Sequence, residues 1–222
     1  MAKRILLVGG GSGGHAYPLL AVAQALKIEA EKTNTKVEFL MLGSPGFLQK
    51  AAQESGIRWK RVTAGKLRRY FDPRTILDFI KIPVSFIQSF WHLFWFMPDI
   101  IFSKGGYDSV APAIVGWLYM IPVFVHESDS VPGLANRVIA KFARAVFVGF
   151  KSAEKYFPKS QVIFVGNPVR SEILSGNKQE GLRYFNLKDG KRTVLISGGG
   201  QGAKVVNDII INSLVLLVKD YQ

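Results

Sequence analysis

Residues 5–15 read ILLVGGGSGGH, an apolar run that leads directly into a glycine-rich turn. Such a run is typical of a buried parallel strand whose carboxyl end opens into a loop. After the loop, apolar residues recur at Leu19, Ala23, Leu26 and Ala30, which is the spacing of one face of a helix. The stretch therefore predicts the first strand–loop–helix unit of an α/β protein.

Further apolar runs of the same kind follow along the chain. Each is short, rich in Val, Ile, Leu or Phe, and bounded by turn residues, and several are separated by stretches with helical periodicity. With the first strand at 4–8, these runs lie at 37–42, 59–62, 100–102, 123–126, 145–148 and 162–165. The alternation predicts an α/β fold, with a doubly wound, Rossmann-like parallel sheet covered by helices on both faces.

A second opening of this type comes late in the chain. Residues 193–197 read TVLIS, and the glycine-rich sequence GGGQG and an apolar helix through Leu217 follow. We therefore expect an N-terminal domain at 1–166, then a junction and the beginning of a second domain at 167–222, with the division just after Arg170. Because a doubly wound domain usually needs about 100–150 residues, the chain is expected to be a fragment.

Composition limits the function classes. The chain has no cysteine, which excludes a disulfide framework and thiolate chemistry. Its formal net charge of +13 should attract anions, so nucleic acid, an anionic membrane and phosphorylated substrates are all candidate partners. The N-terminal apolar run is too short for a signal peptide.

The first glycine loop matches the dinucleotide-binding pattern G-x-G-x-x-G at Gly9, Gly11 and Gly14. A nicotinamide or flavin role is disfavoured because Leu42 ends the second strand without the acidic residue that binds ribose. A phosphate-loop lysine is also missing, since His15 follows Gly14. The glycines could serve a tight turn alone, but the loop before a helix also suits a bound anion.

Five ordered motifs resemble the MurG family of bacterial glycosyltransferases. They are GGGSGGH at 9–15 with Pro18, KGGY at 104–107, HESD with PGLANR between 126 and 137, GNPVR at 166–170 and SGGGQGA at 197–203. Together these motifs cover nearly the whole chain.

The resemblance implies a two-domain GT-B fold that works without a metal or another cofactor. It implies UDP-N-acetylglucosamine as donor and undecaprenyl-diphosphate-linked N-acetylmuramoyl-pentapeptide (lipid I) as acceptor. The sugar would be transferred with inversion to give lipid II in peptidoglycan synthesis. This chain alone is expected to be inactive.

The resemblance also implies the site residues. His15 would be the catalytic base, since its imidazole titrates near neutral pH; a helix-start residue bonded to the loop is the alternative. The substrate-binding residues would be Ser12, Gly13, Gly14, Gly105, Gly106, Tyr107, Asp129, Arg170, Gly199, Gly200 and Gln201. Three positions depart from the family: Ser128 replaces a glutamine, Asp129 an asparagine and Gly200 a serine. The carboxylate of Asp129 cannot donate the hydrogen bond that an amide would.

A basic and aromatic segment precedes residue 98. The uncharged stretch 82–98 is interrupted by proline and polar residues, so we expect a helix on the membrane surface rather than through it. The expected membrane contacts are Arg68, Arg69, Arg74, Phe90, Trp91 and Trp95. An ordinary helix with its rings packed on the sheet is the alternative, and nucleic acid is disfavoured because no known binding fold accompanies the charge. The resemblance implies a peripheral location on the cytoplasmic side of the cell membrane, and the basic residues make anionic phospholipid an expected partner.

Two other functions remain open. One is a non-catalytic membrane-docking module that recruits a separate donor-binding subunit. The other is a glycosyltransferase of the same architecture acting on a diacylglycerol or sterol, which the close run of motifs disfavours.

Overall fold

The computed structural model describes residues 2–65, 74–198 and 202–222, with the backbone alone for 74–79. The chain divides into two compact units, Met1–Arg170 and Ser171–Gln222, called unit 1 and unit 2 below. The predicted contacts Arg68 and Arg69 and the predicted loop residues Gly199, Gly200 and Gln201 lie outside the described residues.

Unit 1 is built on one seven-stranded parallel sheet. Its strands are β1 Lys3–Val8, β2 Val37–Gly43, β3 Arg58–Arg61, β4 Ile100–Ser103, β5 Val123–Glu127, β6 Ala145–Val148 and β7 Val162–Phe164. The spatial order is β3-β2-β1-β4-β5-β6-β7. All seven strands that the sequence predicted are present, with ends shifted by one residue at most. The α/β, Rossmann-like prediction is confirmed.

Helices connect the strands. In unit 1 they are α1 Gly13–Lys32, α2 Phe47–Glu54, α3 Arg74–Phe96, α4 Tyr107–Leu118 and α5 Leu134–Ile139, with a 3₁₀ helix at Lys151–Tyr156. Unit 2 contains α6 Ser171–Leu174, α7 Lys178–Tyr184 and α8 Lys204–Asp220.

The alternating side chains of the central strand β1 reach two separate cores. Ile5 and Leu7 pack in one cluster with the buried residues of α1 and α2. Leu6 and Val8 pack in the other, which includes residues of α3, α4 and α5. Successive strand residues point to opposite faces, so a strand that is covered on both faces must be apolar throughout. This requirement explains the uninterrupted apolar run at residues 5–8.

The strand order reverses between β1 and β4. From β1 the chain winds outward in one direction through β2 and β3, and from β4 it winds outward in the other. Loops that follow two neighbouring strands on either side of such a reversal leave a crevice at the carboxyl edge of the sheet. Both glycine-rich loops of unit 1 lie at this crevice, one after β1 and one after β4.

Unit 2 differs from the sequence prediction at its first element. The predicted strand at 193–197 is wrong: residues 193–198 belong to no element, and the nearby pairing is a single bridge between Arg192 and Tyr221. A parallel strand needs a neighbouring strand for its backbone hydrogen bonds, and the described part of unit 2 contains none. Leu195 is accordingly 86% exposed. The predicted helix is present as α8.

The thermal stability of unit 1 should not depend on the presence of unit 2. None of the described residues of unit 2 is buried, whereas both cores of unit 1 consist of residues from unit 1 alone. We expect a chain ending at Arg170 to unfold cooperatively at nearly the same temperature as the longer chain, measured by circular dichroism. Leu6→Ala, at a fully buried position, should lower the stability of the shorter chain by about 2–5 kcal/mol. A shorter chain without a cooperative transition would contradict this independence.

Candidate functional site

The two glycine-rich loops of unit 1 are in direct backbone contact. The amide of Gly10 donates to the carbonyl of Gly105 over 2.8 Å. A Cβ atom on Gly106 would lie 2.7 Å from the Cα of Gly10, and Gly106 has a φ of +90°. Both the close approach and the left-handed backbone require glycine. Two motifs that are far apart in the sequence thus form one continuous surface.

Each of these loops opens a helix whose first amides have no side-chain cap. Helix α1 begins after Ser12 and α4 begins after Gly106, and neither of these cap positions supplies a side-chain hydrogen bond to the helix. The first amides of a helix have no partner within the helix, and they carry its positive dipole end. Two such ends at one crevice form a favourable environment for an anion.

His15 lies in the first turn of α1 and is held by the loop before it. Its Nδ1 is hydrogen-bonded to the Ser12 hydroxyl over 2.9 Å, so Nε2 is the nitrogen left for a substrate. Burial lowers the pKa of His15, and the nearby charge of Lys104 lowers it further, although carboxylates at Asp108, Glu127 and Asp129 act in the opposite direction. A neutral imidazole can accept a proton, as the predicted base must.

The crevice encloses a cavity of about 420 Å³ between the two loops and the segment after β5. Of the residues predicted from the sequence, Ser12, Gly14, His15, Gly106, Tyr107 and Asp129 line it. Gly13 and Gly105 adjoin these lining residues in the two loops. The remaining lining residues are Lys104, Glu127, Ser128, Gly133, Leu134, Ala135 and Asn136.

Glu127 organises the loop that follows β5. One carboxylate oxygen accepts from the amide of Asp129 over 2.8 Å. The other accepts from the amide of Gly133 over 3.1 Å and from the side-chain amide of Asn136 over 2.9 Å. Since both oxygens of this buried carboxylate are already engaged, Glu127 acts as a scaffold. Asp129 is exposed, and its carboxylate remains available to a substrate.

His126 and Lys104 belong to the quoted motifs but were not among the predicted site residues. His126 is buried and donates from Nε2 to the carbonyl of Gly166 over 2.9 Å, which connects β5 to the GNPVR segment. Lys104 directly follows β4 in a fully buried position and donates to the hydroxyl of Ser128. A lysine directly before the second glycine loop was the available signal, but sequence alone does not show that its side chain turns inward.

Arg170 lies beside the first turn of α1. Its guanidinium carbon is 4.6 Å from the centre of the Tyr17 ring, a cation–π arrangement. A Cβ atom on Gly13 would lie 3.5 Å from the same ring, so Tyr17 contacts both the arginine and the first glycine loop. Arg170 does not line the cavity, but it lies next to a loop that does.

Helix α3 divides its aromatic residues between core and solvent. Phe86 and Phe96 pack against the core of the sheet, which is the alternative that the sequence left open. Phe90, Trp91 and Trp95 are 38%, 62% and 66% exposed, as membrane-contact residues must be. Arg74 is the first residue of the helix, and its side chain is outside the described part. Among the described residues, no helix has the length and apolar character that crossing a bilayer requires.

The histidines should make the fold sensitive to acid. Burial lowers the pKa of His15, His92 and His126, which are all the histidines of the chain. In the unfolded chain they titrate near pH ~6.5, so below that pH the unfolded state binds protons that the folded state does not. Their stabilising contribution is present above this value and is lost as pH falls towards the lowered values.

We therefore expect a lower unfolding temperature at about pH 5.5 than at about pH 7.5. His126→Gln keeps a donor for the Gly166 carbonyl but removes the titrating ring, so it should reduce the difference. Thermal denaturation followed by circular dichroism measures both effects. An unfolding temperature that does not change between the two pH values would contradict the prediction.

Comparison with known proteins identifies the family. The model of the glycosyltransferase family 28 N-terminal domain matches residues 5–148. The chain is 39% identical over 221 residues to a Bacillus cereus protein named UDP-N-acetylglucosamine–N-acetylmuramyl-(pentapeptide) pyrophosphoryl-undecaprenol N-acetylglucosamine transferase 2, covering 99% of this chain and 61% of that protein. A Clostridium botulinum transferase with the corresponding name is 37% identical over 220 residues, with 99% and 60% covered. The chain thus spans about three fifths of these relatives.

Solved structures show the same fold. The structure of Acinetobacter baumannii MurG has a TM-score of 0.69 at 23% identity, covering 97% of this chain and 58% of that one. A UDP-GlcNAc 2-epimerase from Neisseria meningitidis has a TM-score of 0.65 at 17% identity, covering 98% and 63%. At these identities the likeness concerns the fold alone. With the family model matching most of unit 1, the chain belongs to glycosyltransferase family 28 and carries its N-terminal domain.

Proposed function

We propose that this chain is part of an inverting transferase that moves N-acetylglucosamine from UDP-N-acetylglucosamine to lipid I, giving lipid II for peptidoglycan synthesis. The cavity between the two glycine loops carries the proposal, because it combines two positive helix ends with a neutral imidazole. The two relatives whose names describe this transfer support the choice of substrates. Residues 1–166 would bind the acceptor and the membrane, and 167–222 would form the junction and the beginning of the donor-binding domain.

The reaction would be a single displacement. The acceptor hydroxyl oxygen forms a bond to the anomeric carbon of the donor sugar, while the bond from that carbon to the diphosphate oxygen breaks. The hydroxyl proton passes to Nε2 of His15, and UDP leaves with the bonding electrons. Ser12 fixes the ring through Nδ1, so Nε2 is presented in one orientation.

The departing diphosphate needs a positive environment in the transition state. Arg170 would supply a fixed charge there, since a guanidinium remains protonated and matches phosphate geometry. Its stacking on Tyr17 restrains it beside the first glycine loop. As the resemblance to the third family loop implies, Gly199, Gly200 and Gln201 would bind substrate through their backbone amides.

The exposed aromatic residues of α3 suit a lipid surface. Phe90, Trp91, Phe94 and Trp95 are all at least 38% exposed. The ring of Phe90 contacts that of Tyr119 with centroids 5.6 Å apart, which extends the apolar surface to the end of α4. Aromatic rings favour the membrane interface, and the net charge of +13 favours an anionic leaflet. The proposed location is therefore the cytoplasmic face of the cell membrane, where lipid I would be reached.

The catalytic role of His15 can be tested in a protein that joins this chain to a complete second domain. His15→Ala should lower kcat by roughly 10²–10⁴-fold while leaving donor affinity nearly unchanged, because it removes the proton acceptor. His15→Gln keeps a hydrogen-bonding side chain at the loop but cannot take the proton, so it should lose a similar amount. Steady-state transfer to a lipid I analogue measures both. A glutamine variant with the original kcat would make His15 a positioning residue and direct the search to Asp129.

The membrane role can be tested with this chain and lipid vesicles. Vesicles with anionic lipid should bind it, neutral vesicles should bind it much less, and salt should weaken the binding. Replacing Trp91 and Trp95 together by alanine should weaken binding on the order of tenfold or more, since two large rings lose their lipid contact. Alanine at Arg68, Arg69 and Arg74 should also reduce it.

The matched control replaces Tyr184 and Phe185 of unit 2, which are 84% and 66% exposed. Their removal deletes two exposed rings without altering α3, so binding should be unchanged. An equal loss in the control, measured by vesicle co-sedimentation, would remove the argument for α3.

A further inference from the structure

Lys104 is a buried cation with unused hydrogen-bonding capacity. The residue is only 2% exposed, at the point where β4 enters the second glycine loop. Its ammonium donates one hydrogen bond to the Ser128 hydroxyl, and among the described residues it has no ion pair within 4.0 Å. An ammonium has three protons to donate, so this arrangement leaves hydrogen-bonding capacity open inside the site. A buried charge without a counter-ion is costly and therefore calls for an explanation.

The surroundings of Lys104 favour an anion as the missing partner. The residue lines the same cavity as His15, and the Cβ atoms of both lie within 3.7 Å of the position that a Cβ on Gly9 would take. The uncapped first turns of α1 and α4 border the same cavity. A lysine ammonium beside helix amides is a combination that suits phosphate oxygens.

The carboxylates nearby do not satisfy this cation. Glu127 uses both oxygens for the loop after β5. Asp129 lowers the electrostatic cost of the charge but lies beyond ion-pair distance. Burial lowers the pKa of Lys104, and Glu127 and Asp129 oppose that shift by attracting the ammonium. Among the described residues, no carboxylate thus forms a direct ion pair with the Lys104 amine.

We propose that Lys104 is a substrate-binding residue. Its ammonium, oriented by Ser128, donates a hydrogen bond to a diphosphate oxygen of the lipid-linked acceptor. The choice of the acceptor rests on the proposed function, whereas the choice of an anion rests on the cavity itself. Besides burial, the charge of Lys104 lowers the pKa of His15. One side chain then serves both to bind the acceptor and to keep the base available.

The proposal predicts opposite effects on stability and on binding. Lys104→Met preserves the length of the side chain and removes the buried charge, so the thermal unfolding temperature of the free chain should stay the same or rise. Its affinity for inorganic diphosphate should fall by about tenfold or more, because a charge-assisted contact is lost. If Lys104 served only to hold the loop after β5, its replacement would instead lower the unfolding temperature.

Isothermal titration of the 222-residue chain with inorganic diphosphate measures the affinity. Lys104→Gln can still donate to Ser128 but has no charge, so the glutamine variant should lose as much affinity as the methionine variant. The glutamine variant also provides the test if the methionine variant misfolds. Lys36→Met is the matched control, since it removes an exposed lysine just before β2, at the amino end of the sheet. The control should bind as the original chain does.

Separate titrations with geranyl diphosphate and with UDP distinguish the diphosphate of the acceptor from that of the donor. We expect geranyl diphosphate to bind at least as tightly as UDP and to lose affinity in both Lys104 variants. The proposal is overturned if the original chain does not bind diphosphate, if Lys104→Gln binds normally, or if Lys36→Met loses as much. Tighter binding of UDP that depends on Lys104 would also overturn it. These titrations do not measure sugar transfer. A failure in any of them therefore does not bear on the proposed transferase activity, which the His15 variants test.

Discussion

The close approach of two backbones at the carboxyl edge of the sheet is the constraint on which the rest of the site depends. Gly10 and Gly106 come so near that a side chain at Gly106 would overlap the backbone of the first glycine loop. This contact is possible because β1 and β4 are adjacent and the strand order reverses between them. It places the starts of α1 and α4 at one crevice and fixes the ring of His15, whose Nδ1 would lie 2.9 Å from a Cβ on Gly10. Glycine is thus required for reasons of space as well as backbone conformation.

The electrostatics of the cavity follow from how its charges are used. The Glu127 carboxylate accepts three hydrogen bonds that hold the loop after β5, so this acid has a structural role in the site. Lys104 is oriented by Ser128 but left without an ion pair in the described part of the chain. Asp129, where the resembled family has an asparagine, faces the cavity with an exposed carboxylate. The Lys104 amine, the Asp129 carboxyl group and the His15 imidazole therefore line one cavity.

Helix α3 connects the site to the proposed membrane surface. One face of the helix packs into the core through residues such as Leu93 and Phe96, and the other presents Trp91 and Trp95 to solvent. The His92 ring donates to the carbonyl of Arg61, which fastens the helix to the end of β3. The position of the exposed rings is thereby fixed by the sheet that also positions the cavity.

The sequence by itself determined the strands of unit 1, because a strand buried on both faces must be an unbroken apolar run and such runs are visible in one dimension. It also predicted the two glycine loops, with His15 and Tyr107 at their ends, because each loop comes directly after a strand. The tertiary structure alone decided the inward turn of Lys104, the structural use of Glu127 and the stacking of Arg170 on Tyr17, because each depends on a partner distant in the chain. The strand predicted at 193–197 was wrong for the same reason. An apolar run indicates only a propensity for a strand, and the strand forms only where a neighbouring strand provides partners for its backbone hydrogen bonds.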